Sequence, residues 1–271
     1  MKTVTILMVN NEEDIIRDCL EDRLFYFDII AIVDSSTDNT PIICQEYMKK
    51  YPDRILYKHE RRIPFSIKNY RTILYEMIGD KISDDDWIWQ LDTDIFPCLG
   101  KSRVSIEGIM ERANYEGANC IVCDIVQFYP TIEETIAGID WRKLNYYSTN
   151  WRSKIIYKKK GIFFRTDDQE TPSVPDEKKA SFALYMRHYQ YRNPKQIDKK
   201  INRAFGVRSY SHIISKDWKD YIVDKKYLKQ KISNEGPWSR GGHGWRSLVS
   251  LTNDKHKNNS NLYKKLESIQ L

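Results

Sequence analysis

The triplet Asp92-Thr93-Asp94 directly follows an apolar run over residues 87–91. Two carboxylates spaced i, i+2 where a strand ends and bends can converge on one cation. Hard oxygen donors of this kind suit Mg²⁺ or Mn²⁺. An ion held by only one or two carboxylates keeps open positions, which phosphate oxygens of a substrate can fill. The triplet therefore points to a nucleotide-diphosphate site. Loop carboxylates that are merely solvated, or that cap a helix, look the same in isolation, so the weight of the triplet comes from its surroundings.

Those surroundings alternate between strand and helix. Residues 4–9 form an apolar run with a polar edge, the pattern of a buried strand, and Ile15, Ile16, Cys19, Leu20 and Leu24 then share one helical face. Residues 28–33 give a second strand ending at Asp34. A loop follows in which Asp38 or Thr40 caps a helix over 42–51, with Pro41 near its first position. A shorter strand over 54–58 precedes a helix capped by Ser66 and carrying Ile67, Tyr70, Ile73, Leu74, Met77 and Ile78. Residues 87–91 are the fourth strand, 102–115 a helix and 119–129 an extended run. This alternation predicts an α/β fold with a mainly parallel central sheet flanked by helices. Such sheets bind ligands outside the carboxyl ends of their strands. Here those ends carry Asn10-Asn11, Asp34 and Asp92-Thr93-Asp94.

Beyond residue 130 the pattern is less regular. Apolar residues at 155–157 and 162–164 flank Lys158-Lys159-Lys160-Gly161 and predict a hairpin. Residues 180–189 predict a strand, Asn193-Pro194 opens a helix, and the stretch holding Trp218, Tyr221, Ile222, Tyr227 and Leu228 predicts another. The glycines from Gly236 to Gly244 break it, and a polar tail follows Asn253.

Hydrophobic residues at 41%, charged residues at 30% and a mean hydropathy of −0.64 predict a soluble chain with a substantial core. No stretch approaches the roughly 18–20 consecutive apolar residues that span a bilayer. The apolar start runs straight into Asn10-Asn11-Glu12-Glu13-Asp14 without a small-residue cleavage site, so a cytoplasmic protein is expected. Five cysteines have no framework spacing, and the lone Cys120-x-x-Cys123 lacks a second pair for zinc. Charge is uneven. Residues 1–140 hold 15 Lys+Arg against 26 Asp+Glu, and residues 141–271 hold 29 against 12. The basic half predicts an anionic partner, such as a pyrophosphate, a phospholipid surface, an acidic polysaccharide or nucleic acid, unless it is simply a solvated surface.

Taken together, Val9-Asn10-Asn11-Glu12-Glu13-Asp14-Ile15, Val33-Asp34-Ser35-Ser36-Thr37-Asp38-Asn39-Thr40 and Leu91-Asp92-Thr93-Asp94 resemble, in order and spacing, the family-2-like glycosyltransferases of GT-A fold. The likeness covers residues 3–130 well. It continues more weakly through Arg187-His188-Tyr189-Gln190-Tyr191-Arg192-Asn193-Pro194-Lys195-Gln196. That stretch is similar to the HY-x-x-R-S-P-x-Q segment of bacterial members acting on capsule, lipopolysaccharide or exopolysaccharide, with Asn193 in place of serine.

The resemblance implies a nucleotide-sugar-binding part over 1–130 and an α+β acceptor-side region with a helical extension over 131–271, packed with it as one unit. It implies a metal-dependent, inverting transfer from a nucleotide-diphosphate sugar, UDP-sugar foremost, to a saccharide or lipid-linked acceptor. Val9, Asn10, Asn11, Glu12, Asp34, Arg71, Asp92 and Thr93 would meet the nucleotide, with Asp34 accepting from a base N–H. Asp92 and Asp94, with His188, would hold Mn²⁺ or Mg²⁺. Arg187, Arg192 and Lys195 could serve the diphosphate or an anionic acceptor, or be plain surface charge. Asp38 reads as a structural cap. The base that takes the acceptor's proton would be Asp168 or Asp167, in a loop where relatives often show Gly-x-His. Peripheral contact with the inner face of an anionic membrane also follows.

Two other readings stand beside this one. A nucleotidyltransferase shares the fold and the carboxylates, although the Gly-rich, basic loop it needs after the first strand is missing. A nucleic-acid-binding protein would use the basic, aromatic second half, but no RNP, KH or zinc pattern is present, so no nucleic acid partner is expected. No G-x-G-x-x-G follows the first strand, which argues against a dinucleotide oxidoreductase.

Overall fold

The computed structural model describes residues 1–60, 67–99, 106–163, 172–204, 216–231 and 268–269. In chain order the main elements are β1 (Thr3–Val9), α1 (Ile16–Tyr26), β2 (Ile29–Asp34), α2 (Thr40–Lys50), β3 (Ile55–His59), α3 (Ile67–Ile78), β4 (Trp87–Gln90), β5 (Ile95–Cys98), α4 (Ile106–Tyr115), β6 (Cys120–Phe128), α5 (Ile132–Ile136), β7 (Tyr146–Lys158), β8 (Lys179–His188), α6 (Pro194–Ala204) and β9 (Lys229–Gln230). The strand order is β3-β2-β1-β4-β7-β6-β8-β5, with β9 beside β7. The chain forms two compact units, 1–123 with 152–184, and 124–151 with 185–271. They interleave along the sequence, because β6, β7 and β8 each pass from one to the other.

In the first unit, β1 pairs in parallel with both β2 and β4, and β2 with β3. β7 closes the series antiparallel to β4, setting Tyr157 opposite Ile88. The sheet is thus mixed: its β3-β2-β1-β4 stretch is parallel, as predicted, and the β4–β7 pairing is antiparallel. Side chains alternate across it. Val4, Ile6, Ile29, Ala31, Val33 and Ile88 pack on one face with Tyr70, Leu74 and Ile78 of α3. Strands covered on both faces are near-continuous hydrophobic runs, which is why β1 and β2 are mostly apolar, with Thr3, Thr5 and Asp34 as their polar members. At the amino ends of the strands, Asp86 fastens β1 to β4. Its Oδ1 accepts from the Lys2 N–H at 2.6 Å and its Oδ2 from the Ser83 N–H at 2.8 Å.

The expected hairpin over 155–164 does not form. Residues 155–158 continue the 13-residue β7, Ile156 to Lys158 pairing with β4, while Phe163 bridges Ser173 instead. β4 offers a buried partner, which a local turn cannot match.

The second unit has its own aromatic core of Tyr129, Ile132, Tyr191, Ile197, Ile201, Trp218, Tyr221, Ile222 and Val223. Tyr129 and Tyr191 stack at 6.1 Å between centroids. Thr131 and Glu134 form a reciprocal capping box on α5. Asn193 Oδ1 accepts from the Gln196 N–H at 2.9 Å, capping α6 as its sequence suggests. Over residues 218–228, by contrast, the predicted helix is replaced by two short 3₁₀ turns, Trp218–Tyr221 and Lys225–Tyr227. Asp217 and Asp224 each accept from the N–H two residues on, a local bond that favours tight turns over a continuous helix. Among the described residues, no helix is long and apolar enough to cross a membrane.

Candidate active site

Parallel pairing brings the carboxyl ends of the strands of the first unit to one edge. The register sets Val9 beside Asp34, Asp34 beside His59, and Ile6 beside Gln90. The chain after β1, the loop after β2 and the Asp92-Thr93-Asp94 turn therefore leave the sheet on the same side.

The first two of these segments are latched together. Asn11 has a φ of 56°, the left-handed conformation that asparagine tolerates better than most side chains. There its N–H donates to Ser36 Oγ at 2.7 Å, and its Oδ1 accepts from the N–H groups of Thr37 at 2.7 Å and Asp38 at 3.3 Å. Asn10 Nδ2 donates to Ser35 Oγ at 2.7 Å, and the Glu12 N–H to Thr40 Oγ1 at 3.0 Å. The Ser35 N–H donates to the carbonyl of Val9 at 3.0 Å. Asp38 serves the loop itself, its Oδ1 accepting from the Thr40 N–H at 3.0 Å.

Asp34 lies under this latch with no exposed surface. Its Oδ1 accepts from the Ser36 N–H at 2.8 Å and its Oδ2 from the Tyr57 hydroxyl at 2.8 Å. Burial first, and then the carboxylate it bonds, push the Tyr57 pKa well above the phenol range, so Tyr57 remains a donor. Each carboxylate oxygen keeps a second lone pair for a further donor.

The Asp92-Thr93-Asp94 turn links β4 to β5 and is closed by a 3.2 Å bond from the Ile95 N–H to the Asp92 carbonyl. Asp92 is exposed, whereas Thr93 and Asp94 are buried, Asp94 to 4% exposure. Beneath the turn sits Arg23 of α1, itself fully buried. Its Nη2 donates to the carbonyl of Ile95 and, at 3.4 Å, to that of Asp92. Its Nη1 pairs with Asp22, and the guanidinium lies 5.4 Å from the Phe96 ring centroid. Reasoning from sequence missed Arg23, which sits in a Glu21-Asp22-Arg23 run that reads as solvated charge. The available signal was its phase. Ile16, Cys19, Leu20 and Arg23 follow the i, i+3, i+4, i+7 spacing of the buried face.

Arg71 of α3 is buried, with its charge close to two linked tyrosines. Tyr75 and Tyr157 share a 2.7 Å hydroxyl–hydroxyl bond, and Tyr157 donates to Gln90 Oε1 at 2.8 Å. Burial raises Tyr157 to about 12, against the opposing pull of the Arg71 guanidinium.

Among the described residues, no three His, Cys, Asp or Glu side chains gather as a ready-made metal cluster. Two carboxylates on one turn, one buried and one exposed, nevertheless fit an ion of the Mg²⁺ or Mn²⁺ type, which takes few protein ligands and shares the rest with phosphate. His188 belongs to the second unit. It is buried at the end of β8, and its carbonyl accepts from Gln127 Nε2 at 3.4 Å. In the same unit Arg192 is buried and donates to the Tyr189 carbonyl at 3.2 Å, so it is not plain surface charge. Asp167 and Asp168 lie outside the described residues, as does Ser66.

The family model of glycosyl transferase family 2 matches residues 4–189, well over half of the chain. No curated protein matches it. Solved structures with some likeness include a 4-diphosphocytidyl-2C-methyl-D-erythritol synthase, 10% identical, covering 58% of this chain and 75% of that one at a TM-score of 0.34. The corresponding synthase from Anaerococcus prevotii DSM 20548 is 14% identical over 69% and 89%, with a TM-score of 0.31. HddC from Yersinia pseudotuberculosis is 13% identical over 73% and 97%, with a TM-score of 0.37. Likenesses this distant carry no argument about activity.

Proposed function

Because the chain belongs to glycosyl transferase family 2 and is therefore a glycosyltransferase of the GT-A type, we propose that it moves a sugar from a UDP-sugar to a hydroxyl of a saccharide or lipid-linked acceptor, with inversion, in surface polysaccharide synthesis. The observation that carries this reading is the common edge. A rigid, latched pair of loops with an acid beneath it and a two-carboxylate turn leave one sheet on the same side. These are the two grips a nucleotide diphosphate needs, one for the nucleoside and one for the phosphates.

In this reading the turned backbone at Val9, Asn10, Asn11 and Glu12 receives the nucleoside. Asp34 offers its remaining lone pairs to a base N–H, held in place by Ser36 and Tyr57. Arg71 lends positive charge on the nucleotide side. Asp92 and Asp94, beside Thr93, would hold a divalent ion. When bound, that ion offsets the negative charge developing on the leaving diphosphate. A carboxylate of the 167–168 pair takes the proton from the acceptor hydroxyl as that oxygen attacks the anomeric carbon and the sugar–phosphate bond breaks.

A thermal-shift panel of nucleotides with and without Mn²⁺ tests the reading, because a ligand that binds only the folded state raises its melting temperature. UDP with Mn²⁺ should stabilise the protein, and Asp94→Asn should remove that gain. Stabilisation by CTP in preference to any nucleoside diphosphate would instead favour nucleotidyl transfer. The basic residues 141–271 are proposed to meet an anionic acceptor or membrane surface from the cytoplasmic side. Sedimentation with anionic vesicles should then fall steeply between low and physiological salt.

A further inference from the structure

Resting on the reading of Asp92 and Asp94 as the diphosphate-side grip, we propose that Arg23 is the positioning residue of that grip, a buried cation that fixes the shape of the turn before metal and phosphate arrive. Four observations carry it. Arg23 has no exposed surface, and a buried charge is retained only where its partners compensate the lost hydration. Its partners include both ends of the turn, the carbonyls of Asp92 and Ile95, which lie 69 and 72 residues away in sequence. The Asp92 carbonyl is held a second time by the Ile95 N–H, so the turn is braced from within and from below. The packing against Phe96 and the pairing of Nη1 with Asp22 restrain the guanidinium further.

The electrostatics agree. Cys19, one turn earlier on the same face of α1, feels Arg23 together with Asp22 and Asp94, although burial is what mainly raises its thiol to about 12. Arg23 and Asp94 thus both lie within electrostatic reach of Cys19. A cation bonded to the Asp92 carbonyl is placed to ease the repulsion between two carboxylates on one turn before an ion neutralises them. The planar fork of arginine serves the two carbonyls through Nη2 and the Asp22 carboxylate through Nη1, a division that an ammonium cannot reproduce with the same geometry.

The test uses Arg23→Lys and Arg23→Met, with Mn²⁺ and inorganic pyrophosphate as probes that bypass the nucleobase. Binding is read from the Mn²⁺ electron paramagnetic resonance signal, and folding from melting curves and far-UV circular dichroism. In the wild type, Mn²⁺–pyrophosphate should bind, and Asp94→Asn should remove that binding. Arg23→Lys should remain folded and bind about tenfold more weakly, with Arg23→Met weaker again, as is usual when a group that orients metal ligands is lost. Unchanged affinity in either folded variant overturns the proposal, since a merely structural arginine would lower the melting temperature and leave the site intact. If Arg23→Met does not fold, Arg23→Lys decides alone. Wild-type protein that binds the probe with no dependence on Asp94 overturns the site reading itself, and this role for Arg23 falls with it.

Discussion

The loops after β1 and β2 and the turn after β4 lie on the same edge but are held in different ways. The loops are tied by many short polar links between segments about 25 residues apart, among them Asn10 to Ser35, Asn11 to Ser36 and Thr37, and Glu12 to Thr40. The turn is closed by its own backbone bond from Ile95 to Asp92 and rests on the buried Arg23. Several links between two loops spread the cost of losing any one, whereas a buried charge under a turn makes a single side chain decisive. In the proposed reading, the cross-linked loops would meet the flat base and the turn would meet metal and phosphate.

The largest effect expected from breaking the contrast is at the turn. Asp94→Asn should lower sugar transfer by about 10²–10³-fold, the scale of losing a group that stabilises developing charge, while the melting temperature barely moves. Steady-state kinetics beside a thermal melt would show it. A parallel collapse in stability would mean that the turn is structural.

Next is Asp34→Ala, which strands the Ser36 N–H and the Tyr57 hydroxyl. It should cost about 2–4 kcal/mol in urea unfolding, since each buried group left unpaired costs about 1–3 kcal/mol. The latch itself is sharpened by two changes at Asn11. Asn11→Gly keeps access to the left-handed backbone and loses only the side-chain acceptor. Asn11→Ala loses both, and should be less stable than Asn11→Gly by about 1–2 kcal/mol. Equal stabilities would show that the positive φ is not enforced.

The smallest effect is a control at the opposite ends of the strands. Burial alone would raise the Asp86 carboxyl, but the N–H groups of Lys2 and Ser83 outweigh it and hold its pKa below the usual 3.8. A carboxyl depressed by folding contributes stability that is complete above its unfolded value and lost as pH falls through the folded one. Wild type should therefore lose more stability than Asp86→Asn on acidification below about pH 4, as chemical denaturation at a series of pH values would measure. Mn²⁺–UDP binding by Asp86→Asn at neutral pH should be unchanged.

The parts of the molecule legible in the sequence are those whose cause is local. β1, β2 and β4 announce themselves because strands buried on both faces are mostly apolar, with only Thr3 and Thr5, Asp34 and Gln90 polar among them. The ends of those strands stand out because polar residues follow abruptly. α6 was legible through Asn193, whose side chain does locally what its type suggests. What depends on distant partners was hidden. β5 is four residues with Pro97 among them, too short to show a period. The extension of β7 past residue 154 depends on the free edge of β4, and the hairpin reading saw only the lysines and Gly161. Arg23 was hidden because its distant acceptors are backbone carbonyls, which every residue has.

One consequence of the interleaved chain concerns its birth on the ribosome. β4 is complete at Gln90, but the stretch of β7 that pairs with it, ending at Lys158, emerges 68 residues later. At synthesis rates of about 5–20 residues per second, that edge stays unpaired for on the order of 3–14 s. Trp87-Ile88-Trp89, apolar and ready to pair, is the kind of strand that recruits a neighbouring chain when left open. The order of translation thus sets a vulnerable interval, which ends only when the chain returns from the second unit to close the first.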